Sequence, residues 1–585
     1  MAQVVKNKKV TVNIKQDNAP DVSFKSNMAD TADNQHASMF GVKSDFSNYQ
    51  VDAWQRSILF FDALRQRANN MIEHEKADMP PLLDFKYETV LDARSFERPA
   101  NYALLKITEA GDDCLDKCLD PNKAPVIIVD PRAGHGPGIG GFKRDSEVGI
   151  ALHEGHPVYF TVFHPDPEPN QTMGDVLAAL RHFVESVSAW HEGKAPVLYG
   201  NCQAGWMLAL LSADCSGMVG PTVMNGSPIS YWASGEEINP MQTLGGLSGG
   251  VWMTRMLSDI SNGTFDGAWL VRNFEQLNPA KAIWGKYYNL FSNIDSERER
   301  FLSFERWWSG FYSLSEEEIT ATIENLFIGN KLERGEMILD EHCAIDLKQI
   351  NNPLVIFASE GDEITPPRQA LHWIRAVYPD TKALKEAKQR IVYLINPHVG
   401  HLGIFVSAKV AKLEHRAILE NTPEIAALKP GLYQMIIDNP TGDPDCRHDQ
   451  YKVQFVERQV EDICDSTPQE LFERVRSVSE HNDSIYKQFL RPFVQAFASP
   501  MTAEILKTAH PMRANRKIFS EMLNPAMLAL PLVAQTIKDN RIEAEDNNPF
   551  IEIERQAAAR IEKSIETMSD NHKKWQIALF KAIYG

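Results

Sequence analysis

From residue 124 onward the chain repeats one pattern of polarity, a short apolar run closed by turn residues. APVIIVD, HPVYFTVF, APVLYG, GPTVMNG, NPLVIFAS and RIVYLIN each fit a buried strand. Helical stretches stand between several of them, such as TMGDVLAALRHFVESVSAWHE at 172–192. Buried strands alternating with helices predict a mostly parallel sheet covered on both faces. Upstream, residues 47–78 carry apolar positions at helical spacing and predict an amphipathic helix. Residues 1–45 are polar, rich in Asn, Asp, Ser and Lys, and read as a flexible arm. Between about 230 and 345 the alternation lapses around Trp232, Trp252, Trp269, Trp284, Trp307 and Trp308. That segment reads as an insertion capping the sheet's C-terminal edge. Its aromatics suit either a lipophilic substrate or the insertion's own core. The resulting division is an arm over 1–45, a helical region over 46–120, an α/β domain over 121–435 and a C-terminal helical region over 436–585.

Composition narrows the function classes. A formal net charge of −18 over 585 residues argues against a nucleic-acid partner bound through phosphate neutralisation. The 7 cysteines are scattered, apart from the neighbours Cys114 and Cys118, and no paired CxxC spacing calls for zinc. No metal or cofactor is expected. Reduced thiols in a cytoplasmic protein are the default. The N-terminal MAQVVKNKKVTVNIKQDNAP lacks the apolar core of a signal peptide, and no run of about 18 apolar residues predicts a membrane span.

The stretch PVLYGNCQAGWML, residues 196–208, carries the candidate chemistry. A strand, a Gly-x-nucleophile-x-small-Gly turn and a helix make a nucleophile elbow. The nucleophile must stand on a tight, strained turn to project beyond the sheet edge. Residues two positions away must be small because strand and helix nearly touch, and Gly200, Ala204 and Gly205 satisfy this. The N-terminus of the following helix points at the Cys202 sulfur and favours thiolate. A buried, inert cysteine is the bland alternative.

An elbow requires an acid and then a base, in that chain order. PLVIFASEGDEITPP supplies Asp362 directly after an apolar run and a glycine turn, with Glu360 and Glu363 as rivals. RIVYLINPHVGHLGIFVS supplies His401 between Gly400 and Leu402-Gly403, with His398 as an ordinary loop histidine. Three candidates in the right order, each just beyond a predicted strand, favour catalysis. One oxyanion donor is expected from the backbone N–H of Gln203. The other is expected from the glycine-dense loop VDPRAGHGPGIGGF, 129–142, whose Gly134, His135 and Gly136 are the candidate oxyanion and substrate residues. Which N–H serves is open, and His135 is as much a structural candidate as a functional one. No Gly-Lys-Ser/Thr follows, so this is not a phosphate-binding loop.

These residues resemble the polyhydroxyalkanoate synthases of the α/β-hydrolase superfamily, which carry a cysteine in a lipase-like box, an aspartate in a glycine turn and a histidine in a Gly-His loop. The matches are GNCQAG with Cys202, SEGDEITPP with Asp362 and VGHLG with His401, over roughly 120–410. WQRSILFFDALRQRANN, RSFERPANYALLKI, DPRAGHGPGIGGFKRDSEVG and NCQAGWMLALL look closer to the 3-hydroxyalkanoate synthetase-like proteins of the DUF3141 type, over nearly the whole chain. The chain departs from true synthases at Ala204, where they have a glycine, at Glu363, where they usually have a histidine, and in its long helical C-terminus. The resemblance implies an α/β-hydrolase fold, to which the polarity pattern adds the cap insertion and the N- and C-terminal helical extensions. It also implies an acyl-CoA or polyester substrate, and it allows a homo-oligomer.

The expected chemistry is acyl transfer through a Cys202 acyl-enzyme, with His401 as base and Asp362 fixing its tautomer. Exchange between two thioesters is close to isoenergetic, which favours a thioester donor such as 3-hydroxyacyl-CoA. The alternatives are a cysteine hydrolase, meaning a thioesterase or polyester depolymerase, and a non-catalytic scaffold or granule-associated protein.

Overall fold

The computed structural model describes residues 32–109, 119–233, 238, 240–340, 343–405, 412–440, 442–443, 450–463 and 469–585. Cys114 and Cys118, and residues 1–31 of the expected arm, lie outside the described residues. A ten-stranded sheet organises the rest. Its strands are β1 (Lys86–Asp92), β2 (Tyr102–Glu109), β3 (Val126–Val129), β4 (Val158–Phe163) and β5 (Val197–Asn201). The second half comprises β6 (Thr222–Asn225), β7 (Leu354–Ser359), β8 (Arg390–Asn396), β9 (Gly431–Asp438) and β10 (Lys452–Arg458). Their spatial order is β1-β2-β4-β3-β5-β6-β7-β8-β9-β10. Strands β3 to β9 are parallel, whereas β2 runs against β1 and β4, and β10 runs against β9. This is the α/β-hydrolase architecture that the strand pattern and the elbow predict.

The inner strands are buried at nearly every position because consecutive residues enter different cores. Val126 and Ile128 join Val158, Phe160, Val197 and Tyr199 on one face. Ile127 and Val129 join Tyr159 and Leu198 on the other. A period of two sends neighbours to opposite faces, and helices cover both. The helices Met173–Trp190, Gln203–Asp214 and Pro367–Val377 fill the second core, while Glu147–His153 and Lys412–Glu420 contribute to the first. The helix Met173–Trp190 starts where the sequence says it should. Thr172 Oγ1 accepts from Asp175 N at 3.2 Å, and Asp175 Oδ2 accepts from Thr172 N at 2.8 Å, a reciprocal capping box.

The sheet extends beyond the expected α/β segment at both ends. β1 and β2 fall inside 46–120, which the sequence reading assigns to helices, and β9 and β10 carry the sheet past 435. β1 is an edge strand, exposed over Lys86–Thr89, and β10 is exposed at several alternate positions. Edge strands of this kind give no continuous apolar run to read. The N-terminal helix begins at Ala32, inside the expected arm, and runs to Lys76.

Between β6 and β7 the chain forms the expected insertion, mostly helical from Pro240 to Arg334. The terminal helix Pro549–Tyr584 backs it: Trp284 Nε1 donates to Ala558 O at 3.1 Å, and Phe580 packs on Gly246. The N-terminal helix clamps that helix in turn, Arg56 donating twice to Glu554 at 2.9 Å. Among the described residues no helix is long and apolar enough to cross a membrane.

Candidate active site

Cys202 stands between β5 and the helix Gln203–Asp214 with φ 51° and ψ −119°, a left-handed conformation that L-residues avoid. Holding a side-chain-bearing residue there costs about 1–3 kcal/mol, which the surrounding packing must offset. Cys202 N donates to Asn225 O at 2.8 Å, so β6 fixes the turn from one side. Small residues fix it from the other. A Cβ on Gly205 would lie 1.8 Å from Ser227 Oγ, and one on Gly200 would lie 2.9 Å from the Ala204 carbonyl carbon. The sequence argument for small residues at these positions therefore has a steric cause.

Asp362 follows β7 and is buried, whereas its rivals Glu360 and Glu363 are exposed. Its Oδ1 accepts from the N–H groups of Ile364 and Thr365, both at 2.8 Å. Its Oδ2 lies 2.7 Å from His401 Nδ1. With Nδ1 engaged by Asp362, His401 also interacts electrostatically with Cys202, and both residues line one cavity. Burial alone would lower the imidazole's pKa, but the Asp362 carboxylate and Cys202 outweigh it and raise the value to about 10. His398 is exposed, as an ordinary loop histidine would be.

Cys202 and His401 open into a cavity of about 270 Å³. Its floor comes from the sheet loops through Pro131, Ala133, His135, Ile364 and Leu402. Its roof comes from the insertion through Phe274, Glu275, Lys286, Phe304 and Trp308. Of the six insertion tryptophans, Trp308 reaches the cavity, while Trp307 and Trp232 are buried in packing.

A family model described as "Protein of unknown function (DUF3141)" matches residues 52–585. The chain belongs to the DUF3141 family. The uncharacterized protein in the ackA 5′ region of Rhizobium meliloti is 40% identical over 554 residues, 93% of this chain and 75% of that protein. The Poly(3-hydroxyalkanoate) polymerase subunit PhaC of Haloferax mediterranei is 27% identical over 139 residues, 23% of this chain and 26% of that protein. Among solved structures, a soluble variant of the Saccharomyces cerevisiae monoglyceride lipase aligns at TM-score 0.36 and 12% identity over 60% of this chain and 97% of that one. The thioesterase domain from the curacin biosynthetic pathway aligns at TM-score 0.32 and 12% identity over 57% and 99%.

In this DUF3141 protein the glycine loop only partly meets expectation. Gly134 and Gly136 do not reach the cavity wall: Gly134 packs on Gly267, and Gly136 packs on the Tyr312 ring. Their carbonyls are engaged by Tyr312 N and Trp307 Nε1, each at 3.0 Å. His135 does line the cavity, but burial lowers its pKa to about 4. Its Nδ1 donates to Gly136 O at 3.0 Å, so Nε2 carries no proton and the ring cannot donate to an oxyanion. The loop is tied to the elbow by Arg132 N, which donates to Gln203 Oε1 at 2.6 Å. Gln203 opens its helix, and its own N–H therefore has no intrahelical acceptor.

Sequence reasoning missed the polar groups beneath the floor. Asp130 accepts from Gly138 N at 2.8 Å and Ile139 N at 3.1 Å and so shapes the glycine loop; burial raises its pKa to about 8. Glu147 Oε1 accepts from Asn201 at 3.0 Å, and Asn201 accepts from Asn225 at 2.8 Å, linking the residues just before the elbow and at the end of β6. The available signals were an aspartate ending β3 and asparagines ending β5 and β6, where a turn residue is the ordinary reading.

Proposed function

We propose that this protein is an acyltransferase working through a Cys202 acyl-enzyme, with His401 as proton acceptor and Asp362 as its orienting carboxylate. The observation that carries the reading is Cys202 on a left-handed turn with the hydrogen-bonded His401–Asp362 pair beside it at one cavity wall. His401, whose raised value keeps it protonated, holds the proton drawn from Cys202, and in the first step the paired thiolate attacks the acyl carbonyl. The oxyanion is received by Gln203 N–H and by an N–H of the 131–139 loop. Collapse breaks the bond to the leaving thiol, which recovers the proton from His401. In the second step an acceptor hydroxyl gives its proton to His401 and attacks the enzyme thioester, releasing Cys202 as a thiol.

The substrate we favour is a 3-hydroxyacyl-CoA. A thiol nucleophile keeps the acyl group activated for the second transfer, and the stretch similar to the Haloferax mediterranei PhaC agrees with such a donor. Scattered cysteines fit a cytoplasmic reaction. The test is incubation of the protein and its Cys202→Ala variant with 3-hydroxybutyryl-CoA, following released CoA and intact mass. A covalent adduct and CoA release confined to the unsubstituted protein are expected, with oligoester as product. Free acid as the sole product would convert the reading to a hydrolase. Equal behaviour of the two proteins would defeat it.

A further inference from the structure

We infer that His135 reads a hydroxyl group on the acyl chain, which donates a hydrogen bond to the ring's Nε2. The chemical identity of the occupant rests on the acyl-transfer reading above; the geometry stands on its own. A carbonyl can only accept, so the 3.0 Å contact with Gly136 O places the ring proton on Nδ1. The ring packs against Trp307 at 4.4 Å and Trp308 at 6.0 Å between centroids. His135 is 3% exposed, yet its Nε2 is not among the buried atoms sealed off without a partner, and the residue lines the cavity. Among the described residues only Nδ1 of this ring has a hydrogen bond. The lone pair of Nε2 therefore opens into the cavity that Cys202 and His401 share.

The surrounding wall gives that acceptor its meaning. Phe274, Phe304, Trp308, Leu402 and Phe405 make the cavity apolar around it. Two of the charged roof groups are already engaged, Lys286 with Glu305 at 2.7 Å and Glu275 with Arg516 at 2.7 Å, while Lys281 lines the same roof. The wall beside His135 thus fits an apolar chain carrying a hydrogen-bond donor. The Arg132–Gln203 bond ties the histidine's loop to the elbow, and the acyl-transfer reading assigns the donor to the acyl group held at Cys202. Burial keeps the imidazole neutral, so the acceptor persists through neutral pH. Sites built around a buried polar group reject analogues that leave it unpaired far more strongly than an apolar pocket rejects a missing methylene.

The test separates this inference from the chemistry. In the Cys202→Ala background, calorimetry measures binding of S-(3-hydroxybutyryl)-N-acetylcysteamine and S-butyryl-N-acetylcysteamine, and of their eight-carbon counterparts. The hydroxylated probes are expected to bind about 10-fold tighter or more. His135→Phe, which keeps a ring and removes the acceptor, is expected to bring that ratio to about one. His135→Gln, whose side-chain carbonyl reaches the same region, is expected to restore part of it and guards against a folding defect in the first variant. Equal binding of both probes overturns the inference, as does a preference unchanged by His135→Phe. Absence of saturable binding by every probe overturns it as well. A hydroxyl preference that persists although the protein with Cys202 forms no adduct would sustain the inference and remove the acyl-transfer reading.

Discussion

Glu147 beneath the elbow and Glu305 above the cavity are both buried, at 1% and 0% exposure, and their surroundings treat them oppositely. Glu147 Oε1 accepts from Asn201, and among the described residues its Oε2 has no partner. Burial raises its pKa to about 8. His415 Nε2 lies 3.7 Å away, but burial lowers that imidazole to about 4, so it brings no charge. Around Glu305, burial would likewise raise the pKa, yet Lys286, Arg516 and Arg67 together lower it to about 2. The floor is thus a neutral, hydrogen-bonded layer and the roof an ionic clamp. The floor is set by adjacent strands and tight turns, which need no charge. The roof joins the insertion to the N-terminal helix through Arg67 and to the C-terminal helices through Arg516. Joining such distant segments takes long side chains with directional partners.

The comparison breaks most severely at the clamp. Glu305→Gln keeps the shape and removes the anion that Lys286, Arg516 and Arg67 share, leaving Glu275 as the carboxylate beside Lys286 and Arg516. Removing one partner of a buried ion cluster costs about 3–5 kcal/mol, so a loss of that size in urea unfolding at neutral pH is expected. The sign with pH follows from the lowered value. The stabilisation is present above the ordinary carboxyl range and fades as pH falls toward about 2, so the two proteins should converge in acid. A loss under 1 kcal/mol at pH 7 would mean that the roof is held by its apolar contacts instead.

The floor answers to volume where the roof answers to charge. Gly205→Ala brings a Cβ within 2.5 Å of Ser227 Cβ, which rotation of the hydroxyl cannot relieve. Overpacking of this kind costs about 1–3 kcal/mol, and strand and helix must separate to accept it. The expected result is a stability loss in that range together with a fall in the rate of adduct formation at Cys202. Full rate with full stability would show that the elbow does not depend on this close approach.

The same contrast governs how much could be read from the sequence. β3 to β8 were legible because a strand covered on both faces must be apolar at every position. Cys202, Asp362 and His401 were legible because each follows such a strand and the order of roles is fixed; the structure brings the three together. The small residues at 200, 204 and 205 had a steric reason that a single sequence reveals. β1 and β10, by contrast, lie at edges and show water their polar residues. Glu305 sits in ERERFLSFERWW, which reads as a solvated charged face until the helices around Arg67 and Arg516 enclose it. Glu147 looks like an ordinary acidic residue in a first helical turn. Burial of such residues is decided by chain segments far away in sequence, and local pattern carries no trace of it.

Glu147 also offers the finest test of the neutral floor. A carboxyl whose folded pKa is raised contributes its full stability below its unfolded value and loses it as pH rises through the folded value. Here the window runs from the ordinary glutamate range up to about 8. Glu147→Gln supplies the same shape with no proton to lose, and its amide oxygen can still accept from Asn201. At pH 5 the two proteins should unfold at nearly equal urea concentrations. Between pH 5 and 8 the variant should gain on the parent by up to about 1.4 kcal/mol per pH unit, the ceiling set by one proton. Asp130 experiences the same burial and stays in both proteins, so its own pH dependence cancels in the difference. A flat difference across that range would mean that Glu147 is ionised beneath the elbow, and the floor would then be charged like the roof.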